Sequence, residues 1–226
     1  MITYNDQMNL FAIIGKQLKK DVRCYAFGGT AMMFYGYKEE TKDIDLLFEH
    51  KEERTEFIRA IEIMGFHERS LFKIYIPEKL RDPHRPLMYE NNGIRFDLFA
   101  NKIFHTETST KMKEDVYAVH EFKDVHILKI NVLRKEHLVI LKSVTERKND
   151  FDDIRTIIEK EKTFDWQYLV DEVLWQYQNG DTWVLLDTIK MLHELRKYVF
   201  VEQKYLNQLT DKLGKKIPAV TKGRKK

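Results

Sequence analysis

The chain has 226 residues, of which 43% are hydrophobic and 33% are charged, and its formal net charge is +3. This composition excludes intrinsically disordered and collagen-like proteins, and the length suffices for one large domain or two small ones. No apolar run approaches the roughly 20 residues of a membrane-spanning helix, and no basic segment precedes an apolar one at the start, so we expect a cytoplasmic protein with no membrane partner.

The positive charge is concentrated at the end of the chain. Residues 215–226 contain six lysines and arginines and no acidic residue. Subtracting these six charges from the net charge of +3 leaves about −3 for the rest of the chain. We predict that residues 215–226 form a basic, disordered tail, and that any attraction for nucleic acid is concentrated there or in a local groove.

In the first 132 residues, apolar runs of strand length alternate with apolar residues at helical spacing. Cys24 is predicted to be a small buried strand residue. A loop is predicted around 82–86. The predicted elements are a helix over 6–20, a strand over 22–27, a turn at Gly28-Gly29, a short helix capped by Thr30 and ended by Gly36, a strand over 43–48, a helix over 51–64, and strands over 72–76, 94–99 and 125–131.

The pattern changes after residue 132, because apolar residues keep a helical period and no alternating run follows. One helical pattern covers 138–158, and further helices are predicted over 166–177, 182–199 and 202–213, with a break at Asn179-Gly180-Asp181. The predicted fold is therefore α+β: a mixed-sheet α/β domain over 1–132 followed by a helical domain over 133–214.

Two aspartates, Asp43 and Asp45, stand one residue apart in the predicted strand over 43–48. Side chains at positions i and i+2 of a strand point to the same face, with α-carbons roughly 6.6 Å apart. Two carboxylates at that separation can bind Mg²⁺ or Mn²⁺, and no His/Cys cluster supports zinc. The alternative is an exposed strand face that carries two acids.

The turn at Gly28-Gly29 precedes a predicted helix, where backbone N–H groups favour an anion. The hydroxyl of Thr30 is predicted to cap that helix or to bind a phosphate oxygen, and Lys42 can donate to phosphate or fix the turn before Asp43. The pattern lacks the Gly-Lys-Ser/Thr end of a Walker A loop and the third glycine of a dinucleotide fingerprint.

A third acid, Asp97, stands between large apolar residues in the predicted strand over 94–99. An acid in this position is costly unless it serves a metal or a partner, and it is a candidate third ligand or general base. The alternative is a salt bridge with Arg95, two residues earlier on the same face.

Lys142 belongs to a polar stripe on the predicted helix over 138–158. The ordinary explanation is a surface stripe with a Lys-to-Glu pair at i, i+4. If the helix instead faces a cleft, Lys142 can hold a triphosphate. The members of the stripe are Lys142, Glu146, Asn149 and Asp153.

These motifs resemble the nucleotidyltransferase superfamily of the DNA polymerase beta type, and more closely its minimal branch. That branch comprises the abortive-infection type toxins of toxin–antitoxin pairs and related archaeal and bacterial proteins. The resemblance covers roughly residues 22–158. It rests on Gly28-Gly29-Thr30-Ala31, on Thr41-Lys42-Asp43-Ile44-Asp45-Leu46, and more loosely on Leu138 to Lys142 followed by Arg147, Asp150 and Asp153.

The resemblance implies an enzyme that transfers a nucleotidyl group from a nucleoside triphosphate to an RNA 3′ end or a protein side chain, with a cognate antitoxin as a partner. By that resemblance Asp43 and Asp45 bind Mg²⁺ or Mn²⁺, Asp97 assists or binds metal, residues 28–30 hold phosphate, and Lys142 contacts the nucleotide. Many relatives have an arginine where Glu39 stands. Two alternatives stay open: a non-catalytic nucleotide-binding or regulatory protein on the same fold, and a metal-dependent phosphodiesterase or nuclease.

Overall fold

The computed structural model describes residues 1–70, 80–145 and 148–213, and for Lys148 only the backbone. Within these ranges the fold is α+β, with nine helices and a mixed sheet whose main path has seven strands. The strand predicted over 72–76, the residue Arg147 and the basic tail over 215–226 lie outside the described residues. None of the described helices is both long and apolar enough to cross a membrane.

Short strands and helices alternate through the first two thirds of the chain, and helices alone follow. The strands are β1 (Ile2–Thr3), β2 (Val22–Ala26), β3 (Glu40–Thr41), β4 (Asp43–Phe48), β5 (His67–Glu68), β6 (Leu87–Asn91), β7 (Ile94–Ala100), β8 (Lys102–Ile103), β9 (Thr106–Glu107), β10 (Val116–Lys123) and β11 (Ile127–Leu133). The helices are α1 (Tyr4–Gln17), α2 (Gly28–Phe34), α3 (Lys51–Ile63), α4 (Thr110–Glu114), α5 (Lys135–Thr145), α6 (Lys148–Lys160), α7 (Trp166–Gln178), α8 (Thr182–Leu195) and α9 (Gln203–Leu213).

The main sheet runs in the order β10-β11-β2-β4-β7-β6-β5. The pairs β11–β2 and β4–β7 are parallel, and the other neighbours on this path are antiparallel. Strands β8 and β9 extend from β7, while β1 pairs with β3 in a separate two-stranded sheet. The strands that carry the three candidate aspartates, β4 and β7, are therefore central neighbours.

The two faces of the sheet contribute to two hydrophobic clusters. Ile44, Leu46 and Phe48 of β4 pack with side chains of α1 and α3 in one cluster. Leu47 of β4 and Phe99 of β7 belong to the other, which includes side chains of α2 and of the helices after β11. Because strand side chains alternate, the aspartates of β4 point to the side covered by α2 and the later helices.

The predicted change of pattern near residue 132 coincides with the end of β11 at Leu133. The cluster on that side of the sheet joins side chains from both sides of this boundary, so the helical segment packs directly on the sheet. The division into domains at 132 stays a prediction. The pattern over 138–158, predicted as one helix, forms two, α5 and α6.

Local signals located most element boundaries to within a few residues. The strand predicted over 43–48 is confirmed with those bounds, and Cys24 is fully buried as predicted, which raises the pKa of its thiol. Helix α1 starts at Tyr4, because the Thr3 hydroxyl accepts a hydrogen bond from the Asp6 N–H while the Asp6 carboxylate accepts one from the Thr3 N–H.

Three strands on the main path of the sheet, β5, β6 and β10, were not predicted. In β10 the exposed positions include Tyr117 and Val119, so the apolar residues do not mark one buried face. A strand with apolar side chains on its exposed face lacks the alternation on which a sequence-based prediction depends.

Acidification is expected to destabilise the fold through His137, a fully buried residue of α5 whose two ring nitrogens have no hydrogen-bond partner within the described structure. Burial lowers the pKa of His137 from 6.5 to about 3; the Asp115 carboxylate opposes this shift, and Arg134 and Lys111 add to it. The unfolded chain therefore binds a proton below pH 6.5 that the folded chain excludes. Stability should fall by about 2 kcal/mol between pH 7 and pH 5 from this residue alone.

The measurement is urea denaturation at several pH values on the unchanged protein and on His137→Phe. That substitution removes the titrating ring and loses no hydrogen bond, so its stability should depend less on pH in this range. His193 is exposed on α8, and His193→Gln is the matched control. Equal pH dependence in His137→Phe and the unchanged protein would show that His137 is not the cause.

Candidate active site

The three candidate aspartates lie on one face of two neighbouring strands. In the parallel pair β4–β7, Asp43 is opposite Arg95 and Asp45 is opposite Asp97. Neighbouring strands are about 4.8 Å apart, and side chains of paired residues point to the same face. The i, i+2 spacing predicted a shared face for Asp43 and Asp45, and the register adds Asp97 and Arg95 to it.

The guanidinium of Arg95 joins two of the three carboxylates. Its Nε donates to Asp97 Oδ1 at 3.0 Å and its Nη2 donates to Asp97 Oδ2 at 3.3 Å. The same Nη2 forms an ion pair with Asp43 Oδ2. The Asp97 side chain is 1% exposed, against 18% for Arg95 and 22% for Asp43. The salt bridge considered as an alternative role for Asp97 is therefore present, and the link to Asp43 is additional.

Gly28 and Gly29, predicted as a turn before the helix, instead form the first turn of α2, and this glycine turn packs directly against the side chain of Asp45. A β-carbon added at Gly28 would lie 2.2 Å from Asp45 Oδ2, and Gly28 has a φ of +56°, which disfavours other residues. A β-carbon at Gly29 would lie 2.4 Å from the Thr41 hydroxyl oxygen. The Gly29 N–H donates to Asp45 Oδ2 at 3.2 Å. Both positions thus require glycine because the turn approaches Asp45 of β4 and Thr41 of β3 so closely.

Thr30 is fully buried, and its hydroxyl accepts a hydrogen bond from the Asp45 N–H at 2.8 Å. The prediction that Thr30 caps α2 is wrong, because the helix begins at Gly28 and its N-cap is Phe27, in an extended conformation. The Thr41 hydroxyl donates to the Asp43 carbonyl oxygen at 3.2 Å. These bonds fix the backbone of β4 between its two aspartates.

Lys142 lies in a buried charge cluster. Its Nζ is 2.6 Å from Asp153 Oδ2 and 3.2 Å from Asp150 Oδ1. Lys38, from the connection between α2 and β3, lies 2.6 Å from Asp153 Oδ1. The predicted surface stripe is wrong for Lys142, which is 5% exposed, and its predicted partner Glu146 lies outside the described residues. The cluster connects α5, α6 and the segment after α2.

The structure therefore brings together most of the predicted site residues. The glycine turn, Thr30 and the three aspartates converge where α2 meets β4 and β7. Lys42 is exposed at the junction of β3 and β4, beside Asp43 in the chain. Lys142 instead forms ion pairs with Asp150 and Asp153 in its own cluster. The roles of Arg95 toward Asp43 and of Lys38 toward Asp153 were missed, because both depend on contacts between distant parts of the chain.

The resemblance implies a divalent cation that is held by the carboxylates of the site. Within residues 1–70, 80–145 and 148–213, no group of three or more His, Cys, Asp or Glu side chains is arranged to hold a metal ion. Asp43, Asp45 and Asp97 nevertheless supply the carboxylate oxygens that Mg²⁺ and Mn²⁺ prefer, from one face of adjacent strands. The chemistry of these donors fits such an ion, while Arg95 provides the positive charge at two of them in this structure.

The sequence matches no protein-family model, and no curated protein matches it at a significant level.

Proposed function

We propose that the protein is a metal-dependent nucleotidyltransferase, with a nucleotidyltransferase domain built on the main sheet. It moves a nucleotidyl group from a nucleoside triphosphate to an acceptor hydroxyl, on RNA or on a protein. A toxin of a toxin–antitoxin pair is the biological setting that the sequence resemblance favours.

One observation carries the proposal. Asp45 and Asp97 are paired in register on parallel strands, Asp43 lies two residues before Asp45, and a glycine turn packs against the Asp45 carboxylate. A constellation of three carboxylates beside a turn that excludes side chains suits the close approach of a phosphate and its cation. Neither the glycines nor the aspartates alone would support a specific reaction.

The residues of the site have different roles in this proposal. Asp43, Asp45 and Asp97 hold the cation in this proposal. Gly29 orients the side chain of Asp45, and Thr30 orients its backbone. Gly28, Gly29, Thr30 and Lys42 stay the predicted phosphate contacts. The chemistry that a bound Mg²⁺ or Mn²⁺ ion supplies is stabilisation of negative charge on the α-phosphate and on the leaving pyrophosphate.

The test is incubation of the protein with each nucleoside triphosphate, labelled in turn on the α- and the γ-phosphate, together with total cellular RNA or total cellular protein. Nucleotidyl transfer requires the α-label on the acceptor and no γ-label. Removal of divalent cations by EDTA should reduce transfer at least about a hundredfold, and added Mg²⁺ or Mn²⁺ should restore it. Absence of α-label from every acceptor would contradict the proposal.

The second candidate is a protein that binds nucleotide and does not turn it over. It is favoured by the Arg95 pairs with Asp43 and Asp97, which neutralise carboxylates that a metal would need. Calorimetry with triphosphates and Mg²⁺ separates the two: binding without transfer to RNA or protein supports this candidate. Cleavage of labelled RNA with Mg²⁺ and no triphosphate would instead support a nuclease.

A further inference from the structure

Arg95 links two carboxylates that belong to different strands. Its Nε and Nη2 atoms donate hydrogen bonds to the two carboxylate oxygens of Asp97, and Nη2 also contacts the carboxylate of Asp43. A guanidinium is planar and carries its donors in a fixed arrangement, so this double contact holds the two side chains at a defined separation. The group therefore lies between two of the three side chains that would hold a cation under the proposed function.

The charges explain why a cation is needed at this place. Asp43, Asp45 and Asp97 lie on one face of adjacent strands, and the Asp97 side chain is almost completely buried. A buried carboxylate without a nearby positive charge is strongly unfavourable. Arg95 supplies that charge to Asp97, and its own side chain is 18% exposed, so it can move toward solvent.

A divalent ion on Asp43 and Asp97 and the guanidinium of Arg95 would use the same oxygens. Arg95 donates to both oxygens of Asp97 and contacts Oδ2 of Asp43, so an ion on the same two side chains would compete for their lone pairs. Two positive groups a few ångströms apart in a partly buried place also repel each other strongly. This repulsion favours release of at least one of the two carboxylates by Arg95 when the ion binds.

We propose that Arg95 is an exchangeable counterion of this site. It pairs with Asp43 and Asp97 in the metal-free protein and is displaced when a divalent cation binds, so the Arg95 ion pairs and metal binding are competing states. This inference rests on the proposed function, because it takes the three aspartates as the cation site. Arg95 is then a determinant of metal affinity that sets how much free Mg²⁺ or Mn²⁺ is needed to load the protein.

The experiment is a titration with Mn²⁺ in the absence of nucleotide, in which free Mn²⁺ is followed by electron paramagnetic resonance. Arg95→Gln removes the competing charge and should bind Mn²⁺ at least tenfold more tightly than the unchanged protein. Arg95→Lys keeps the positive charge but not the planar pair of donors, so its affinity for Mn²⁺ should lie between those of the unchanged protein and Arg95→Gln. Asp43→Asn should weaken binding at least tenfold. Arg69→Gln is the matched control, since Arg69 forms a more exposed pair with Glu90, and should bind as the unchanged protein does.

Thermal unfolding gives a second readout that needs no activity. In EDTA, Arg95→Gln should melt at least about 5 °C below the unchanged protein, because its buried carboxylates lose their counterion. Saturating Mn²⁺ should raise its melting temperature by more than it raises that of the unchanged protein, since a tighter ligand stabilises more.

Three results would overturn the proposal, and they differ in what else they affect. In the first result, the unchanged protein binds Mn²⁺ and Asp43→Asn weakens this binding, but Arg95→Gln binds Mn²⁺ no more tightly than the unchanged protein. This result refutes the exchange and leaves the proposed metal site intact. In the second result, neither the unchanged protein nor any variant binds Mn²⁺ at millimolar concentration. This result refutes both the exchange and the proposed metal site. If Arg95→Gln does not fold, the affinity of Arg95→Lys for Mn²⁺ is measured instead. An Mn²⁺ affinity of Arg95→Lys no higher than that of the unchanged protein is the third result, and it refutes the exchange.

Discussion

Asp45→Asn is expected to reduce nucleotidyl transfer at least about a thousandfold, equivalent to about 4 kcal/mol of transition-state stabilisation. Asparagine has nearly the same shape as aspartate, and its amide oxygen can still accept the hydrogen bond that Gly29 N–H donates to Asp45 Oδ2. The hydrogen bond that the Asp45 N–H donates to the Thr30 hydroxyl uses only the backbone of residue 45 and is kept. The change therefore removes one negative charge at the cation site while the turn and strand stay in place.

The measurement is the rate of α-label transfer with Mg²⁺ at saturating triphosphate, together with urea denaturation to show that the fold is intact. Unfolding free energy should change by less than about 1 kcal/mol. Asp124→Asn, in the exposed turn between β10 and β11, is the matched control and should transfer at the normal rate. An Asp45→Asn variant that keeps more than a tenth of the normal rate would remove Asp45 from the reaction.

The strand that carries Asp45 could be predicted because its signal is local. Residues 43–48 alternate between two faces with a period of two, and this period alone places Asp43 and Asp45 together. The start of α2 could not be predicted in the same way. Gly28 has a positive φ, and a β-carbon there would collide with Asp45, a residue of β4 that lies 17 positions later in the chain.

The pairing of Asp43 with Arg95 shows a second limit of sequence reasoning. Arg95 is two residues before Asp97, so a salt bridge between those two was a local alternative. Its contact with Asp43 depends on the parallel register of β4 and β7, and the described elements α3, β5 and β6 lie between these strands in the chain. Register between distant strands is set by the packing of the whole sheet and carries no local signature.

The surroundings of Lys142 were mispredicted because one helix was expected where there are two. A continuous helix would place Glu146 one turn beyond Lys142. Helix α5 instead ends at Thr145 and α6 begins at Lys148, and the partners of Lys142 are Asp150 and Asp153 of the second helix. The break between helices thus converts an expected surface pair into a buried cluster.

Lys142→Met is expected to lower the free energy of unfolding by about 3–5 kcal/mol, the usual cost of removing one partner from a buried ion pair. Methionine fills similar space but leaves the carboxylates of Asp150 and Asp153 with one positive charge fewer. Lys38→Met is the matched control. Lys38 pairs with the same Asp153, but its side chain is 33% exposed, so its removal should cost less than about 1 kcal/mol. Urea denaturation followed by tryptophan fluorescence measures both.

Adding Asp150→Asn to Lys142→Met separates the structural role of Lys142 from its predicted contact with nucleotide. The double variant loses one of the two buried negative charges together with the lysine, so it should regain at least about 1 kcal/mol over Lys142→Met. A cost below about 1 kcal/mol for the single variant would show that the cluster contributes little. In the restored double variant, reduced affinity for a nucleoside triphosphate would support the predicted contact, because the fold is then no longer the limiting factor. Unchanged affinity would restrict Lys142 to holding α5 against α6.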